Sequence, residues 1–402
     1  MRTHPRIRLQ QFLLACAIIG VPAAVGEVRA QTVDSRIAAF ERGLRPAADA
    51  DEAAERWSLE ERMVQYGVPG VSVAVIEDGK IAWARGYGVL QAGGSDPVDV
   101  ETVFSVGSVS KIGTAAATLR LVNAGELDLD RPVNDYLTTW QVPENDLTRE
   151  APVTLRRIMS HTAGLTVHGF ADFQPGEDLP TTVQILESSG PAKNAPVVVD
   201  IPPGSQFRYS GGGVTVEQLV IEETLDTEFD HAVRRLVFEP LGMTRSTYEN
   251  PIPASHGNIA KAHDGLGRAR ALPRGYEAMP ESGASGLWTS PSDFALLVIA
   301  LIESHRGAPD AFISAELAHD AMTEVSPGPY GLGPDLVGQG DIRRFIHGGS
   351  NNSYKAYMEG HLVTGDGVVV FTNGARGGDL IPEILRSVAE AEGWDDAWYT
   401  NR

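Results

Sequence analysis

Phe104-Ser105-Val106-Gly107-Ser108-Val109-Ser110-Lys111, running on into Ile112-Gly113-Thr114-Ala115-Ala116-Ala117, is the stretch from which the remainder of the chain can be read. Ser108 and Lys111 are three residues apart where a loop gives way to a helix, so the hydroxyl and the amine share one face. Ile112, Ala115, Ala116, Leu119 and Val122 recur at helical spacing, and Asn123-Ala124-Gly125 supplies a stop. A serine hydroxyl attacks poorly until its proton is removed, and negative charge forming at a helix N-terminus meets a favourable dipole. A lysine removes that proton only where burial keeps part of it neutral. The same spacing also describes an exposed helix start. Of the five lysines, however, only Lys111 has a serine three residues before it.

The 402 residues are 42% hydrophobic and 21% charged, an ordinary globular composition with room for one large domain or two intergrown ones. A formal net charge of −20 and the lack of any extended Lys/Arg cluster speak against nucleic acid or anionic membrane as a partner. Residues 1–30 have the layout of an export signal: Arg2, Arg6 and Arg8, then an apolar run over 12–25, then Val28-Arg29-Ala30 before Gln31. A periplasmic or secreted location follows as the expectation, with no stable membrane anchor after cleavage. The single cysteine, Cys16, lies within that signal, and the apolar run continues past it, which disfavours lipidation. A mature chain without cysteine can form neither a disulfide nor a thiolate metal site.

Taken in order, residues 31–48 form a helical lead-in, with Val33, Ile37 and Phe40 inward and Gly43 and Pro46 as terminators. A second helix is expected to open on Asp49, Asp51 and Glu52 and to bury Ala53, Trp57, Met63 and Val64. Residues 71–77 and 80–89 read as strands joined by Asp78-Gly79, a hairpin turn. Mostly helical pieces with long Pro/Gly-rich connections follow over 112–335. Among them Ser290, Pro291 and Asp293 give a capping-box start to a helix facing inward through Leu296, Leu297, Ala300 and Leu301. The long stretch 165–209 is a candidate substrate rim. Strands return at 342–346, 354–358 and 368–372. A helix over 380–389 closes the pattern, inward through Ile381, Ile384, Leu385 and Val388, with Pro382 in its first turn. The expected fold is α+β: an antiparallel sheet built from both chain ends (about 49–111 and 336–392), flanked by terminal helices, with a helical region (112–335) inserted. Residues 49–392 make this domain and 393–402 a tail.

Two further places carry candidate chemistry. Tyr209 precedes Ser210-Gly211-Gly212-Gly213, where backbone can approach a ligand closely, and its phenol could relay a proton if a nearby ammonium lowered its pKa. The other reading is a half-buried tyrosine beside a glycine turn. Ile346-His347-Gly348-Gly349-Ser350 ends a strand, where glycines admit a substrate backbone and the Ser350 amide can point at an oxyanion. His161 reads as a helix-end turn. No G-x-S-x-G elbow, P-loop or H-E-x-x-H motif is present; Gly283-Ala284-Ser285-Gly286-Leu287 misses the elbow at its last residue.

With these segments in order, the chain resembles the penicillin-recognising serine hydrolases, the group of class C β-lactamases, D-alanyl-D-alanine carboxypeptidases and family VIII esterases. Ser108-Val109-Ser110-Lys111 matches the first motif, Tyr209-Ser210-Gly211 is similar to Y-x-N, and His347-Gly348-Gly349 to K-T-G in its H-x-G form. Ser160-His161-Thr162-Ala163-Gly164-Leu165, Tyr330-Gly331-Leu332-Gly333 and Thr372-Asn373-Gly374 extend the likeness over roughly 55–390.

The resemblance implies Ser108 as nucleophile, Lys111 and Tyr209 as the proton-transfer pair and the amides of Ser108 and Ser350 as the oxyanion hole. It also implies His347, Gly348, Gly349 and Gly211 at the substrate, with no metal or organic cofactor. Gly211 stands where the family commonly has asparagine, and His347 removes a fixed charge. Both departures favour a small-molecule ester or a D-amino-acyl amide or peptide as substrate over efficient β-lactam hydrolysis. The competing expectation is a penicillin-binding or ligand-sensing protein with little turnover.

Overall fold

Asp78 and Gly79 turn the chain with both residues at positive φ, 45° and 70°, the geometry a two-residue hairpin needs. They join β1 (Gly70–Glu77) to β2 (Lys80–Gly88). The remaining strands are β3 (Phe104–Ser105), β4 (Trp288–Thr289), β5 (Asp335–Val337), β6 (Arg344–Ser350), β7 (Lys355–His361) and β8 (Gly367–Thr372). In this computed structural model, which describes residues 1, 32–46 and 55–394, all of these elements lie in the compact unit Val33–Arg402. The expected export signal, the acidic helix start at 49–52 and tail residues 395–402 lie outside the described residues.

Six strands form one antiparallel sheet in the order β2-β1-β8-β7-β6-β5, so the N-terminal hairpin is completed by strands from the far end of the chain. β3 and β4 make a separate two-stranded ribbon. The central strands are apolar on both faces, which is why they read as continuous hydrophobic runs. Val71, Val73, Val75, Val368 and Val370 pack under the terminal helices, whereas Ala74, Ile76, Val369 and Phe371 face the helical region. Each fully buried Val or Ile contributes about 1.5–3 kcal/mol. The fold is the α+β arrangement expected, with helices Val33–Glu41, Leu59–Tyr66 and Gly377–Glu392 packed together at the sheet.

The helix after Ser108 is more deeply placed than its one-sided pattern suggests. A short 3-10 turn, Gly107–Val109, carries Ser108, and the α-helix proper runs Ser110–Asn123, with all of its first ten residues buried. Small residues make this possible. A Cβ on Gly113 would stand 2.5 Å from the Tyr248 hydroxyl, which donates to the Ser110 carbonyl.

Other local expectations are corrected by long-range partners. The second helix begins at Leu59, capped by a Ser58/Glu61 capping box; Trp57 lies outside it, bridged to Leu44, and Val64 is exposed. Ser290 does accept from the Asp293 amide. The Asp293 carboxylate, however, takes the Arg245 amide (2.7 Å) and the Ser246 hydroxyl (2.9 Å) rather than closing a capping box. Pro382 sits inside the last helix, beyond its first turn.

Candidate active site

Ser108 leaves the 3-10 turn beside the end of β6, and two glycines make that approach possible. A Cβ on Gly349 would lie 1.9 Å from the Val106 carbonyl, and one on Gly107 (φ 51°) would lie 2.8 Å from the Ser350 nitrogen. β5 pairs only with the Arg344–Ile346 part of β6, so among the described strands residues 347–350 have no neighbour on that side. Ser108, Gly348, Gly349 and Ser350 line one cavity of about 890 Å3 with His347 and Tyr209.

Lys111, 3% exposed, donates to Ser108 Oγ at 3.2 Å and to the Ala284 carbonyl at 2.7 Å. Burial lowers its pKa to about 7, opposed in part by the charge of Glu217. The carbonyl that anchors it comes from Gly283-Ala284-Ser285, the segment that fails as a nucleophile elbow. Ser110, the other serine of the motif, is structural: its hydroxyl donates to the Gly107 carbonyl (2.5 Å) and accepts from the Leu287 amide (2.9 Å).

Tyr209 enters from the residue before the cap of the Gly211–Leu225 helix, with its ring centroid 5.0 Å from Lys111 Nζ. The Ser108 hydroxyl faces the phenol closely enough to favour its ionised form, yet the phenol oxygen has no hydrogen-bond partner of good geometry among the described residues. Burial dominates and pushes the phenol up to about 12. An ammonium-lowered phenol, the condition attached to a relay, is therefore not what the structure holds.

His347 is buried, and its Nδ1 donates to the Gly348 carbonyl at 2.8 Å; Nε2 has no hydrogen-bond partner among the described residues. Burial and the nearby Lys111 charge lower its pKa to about 3, so the ring is neutral. Gly211 is not brought to the cavity wall. A Cβ there would lie 3.0 Å from the Phe170 ring and 3.1 Å from the His168 carbonyl, so those groups occupy the space a side chain would need. Part of the 165–209 stretch does line the cavity, through His168, Phe170, Phe207 and Tyr209.

Sequence reading missed three participants. His161 is at a helix-end turn as expected (φ 57°), but its ring packs on Tyr209 with centroids 4.2 Å apart and its Nδ1 accepts from the Ser210 amide (3.2 Å). Burial, then Lys111, holds it far below the usual histidine pKa. Tyr330 stacks on Phe207 (5.4 Å) and meets His161 edge-on (4.9 Å). Glu217, 2% exposed, accepts from Thr118 Oγ1 at 2.6 Å and is pushed up to about 7 by burial. The available clue was a lone acid among the apolar residues Val214, Val216, Leu219, Val220 and Ile221.

A partly exposed serine on a buried lysine with a tyrosine beside them, on an antiparallel sheet completed from both chain ends, is the constellation of the penicillin-recognising serine hydrolases. The chain belongs to the Beta-lactamase family, whose model matches residues 57–392, and it is a serine hydrolase. It is 28% identical over 342 residues to Penicillin-binding protein 4 of Amycolatopsis lactamdurans, spanning 81% of this chain and 86% of that one. It is 27% identical over 329 residues to Esterase EstB of Burkholderia gladioli, spanning 73% and 77%. The solved D-amino acid amidase of Ochrobactrum anthropi SV3, in complex with L-phenylalanine amide, superposes with a TM-score of 0.66 over 83% of this chain and 98% of that one. At 17% identity this shows the fold alone.

Proposed function

We propose that the protein cleaves an uncharged ester or amide through an acyl-enzyme on Ser108. The observation that carries this is the buried Lys111 amine 3.2 Å from Ser108 Oγ, with a pKa of about 7. An appreciable part of it is then neutral at pH 7 and able to take the hydroxyl proton as Ser108 attacks the carbonyl carbon. The oxyanion so formed lies toward the Ser108 and Ser350 amides. Tyr209, protonated at neutral pH, is placed to donate to the departing oxygen or nitrogen. The Lys111 ammonium then returns a proton to the Tyr209 phenolate; water attacks the acyl-Ser108 ester, the neutral Lys111 amine takes its proton and passes it to the departing Ser108 Oγ, and the acid is released.

An uncharged substrate is favoured because Lys355 is the single Lys or Arg among the described lining residues, and its Nζ is tied to the Asn351 carbonyl at 2.5 Å. The curated relatives include an esterase and a penicillin-binding protein, and the structural neighbours include a D-amino acid amidase. A fluorophosphonate probe is expected to label the purified protein at Ser108 and not to label Ser108→Ala; labelling retained in the variant removes Ser108 from this role. On short p-nitrophenyl esters, nitrocefin and D-Ala-D-Ala peptides, ester turnover is expected to exceed the other two.

Export is part of the same proposal, supported by the arginines at 2, 6 and 8 followed by the apolar run over 12–25. N-terminal sequencing of protein from the periplasm or medium is expected to start at Gln31, and full-length cytoplasmic protein would count against it.

A further inference from the structure

The cavity at Ser108 continues beyond the serine. Strand alternation sends His347 and Gly349 to the inner face of β6 and Gly348 and Ser350 to the outer one. On the inner face Gly349 is pressed against the Val106 carbonyl. On the outer face a Cβ at Gly348 would meet none of the described residues within 4 Å, and the residue across the ladder is Tyr357.

The same cavity is walled there by Tyr357 of β7 and by Ile381, Pro382 and Leu385 of the Gly377–Glu392 helix. Tyr357, Ile381 and Leu385 belong to the core on the terminal-helix side of the sheet. Cleft and trough are thus one space that passes over the strand end because position 348 has no side chain. At the trough's other side a Cβ on Gly378 would again meet none of the described residues within 4 Å. The Tyr357 hydroxyl is already engaged with Glu359 Oε2 at 2.8 Å, which leaves its ring for apolar contact.

We infer that this trough receives an apolar chain of the substrate, so that the preferred substrates are medium-chain esters or amides. The inference rests on Ser108 as the nucleophile only for its catalytic readout. The chain belongs to the acyl group or to the leaving alcohol or amine, and the substrates tested separate the two.

The experiment compares kcat/KM for p-nitrophenyl octanoate over p-nitrophenyl acetate, which lengthens the acyl chain, with octyl acetate over ethyl acetate, which lengthens the alcohol. One ratio is expected to exceed about tenfold and to fall by about tenfold in Pro382→Glu and in Gly378→Phe. Both positions are at least partly exposed, and both changes replace a poor helix residue with a better one. Two ratios near one, or a ratio unmoved in both variants, overturns the inference.

A binding measurement reads the trough without turnover. In calorimetry on Ser108→Ala, N-octylacetamide (chain on the amine) or N-ethyloctanamide (chain on the acyl group) is expected to bind, N-ethylacetamide not, and adding Pro382→Glu is expected to abolish the binding of whichever octyl compound binds. Octyl binding without any ester turnover by the native chain would uphold the trough and sink the nucleophile assignment. Reactivity at Ser108 without octyl binding would do the reverse.

Discussion

Lys111 Nζ stands 3.2 Å from Ser108 Oγ and is held there by the Ala284 carbonyl, 173 residues further along the chain. The amine is the base only when unprotonated, and burial lowers its pKa to about 7. Hydrolysis of p-nitrophenyl acetate is therefore expected to fall about tenfold per pH unit below about pH 7 and to level off above it. A rate independent of pH through that region would remove Lys111 as the base. Lys111→Arg, whose guanidinium stays protonated, is expected to lower kcat by about 10²–10⁴.

Glu217 tunes that amine through its charge. Ionised Glu217 favours the ammonium form of Lys111, so removing the charge lowers the lysine pKa further. In Glu217→Gln, which can still accept from the Thr118 hydroxyl, the acid limb of the pH profile is expected to move to lower pH. An unmoved limb, or one displaced upward, contradicts the coupling.

The adjacent glycines of β6 differ in what surrounds them, and stability should report it. Gly349→Ala drives a methyl into the Val106 carbonyl and is expected to cost roughly 1–3 kcal/mol. Gly348→Ala meets none of the described residues and is expected to stay within about 0.5 kcal/mol of the parent. Equal urea midpoints for the two variants would show that the strand end yields freely.

The terminal helices are joined by a buried ion pair. Arg62 Nε donates to Glu383 Oε2 at 2.6 Å and its Nη2 donates to Oε1, which also accepts from the Tyr66 hydroxyl (2.7 Å). The guanidinium lies 4.6 Å from the Trp57 ring centroid. Glu383→Ala leaves a buried cation without its partner and is expected to destabilise the chain by about 3–5 kcal/mol in urea unfolding. A loss under about 1 kcal/mol would mean that water or another acid takes over.

Asp78-Gly79, the apolar runs of β1 and β8, and the Ser290-Pro291 helix start were legible because backbone preference acts over a few residues, and the Ser108-to-Lys111 spacing needed only one helical turn. Burial and partners from distant segments decided the rest. They lowered the Lys111 pKa, raised that of Tyr209, set His161 against the phenol and drew the Asp293 carboxylate to Arg245 and Ser246. They also filled the space at Gly211 with Phe170. The sequence by itself fixed which residues could react; solvent exclusion, a property of the whole packed chain, set their protonation and brought them together.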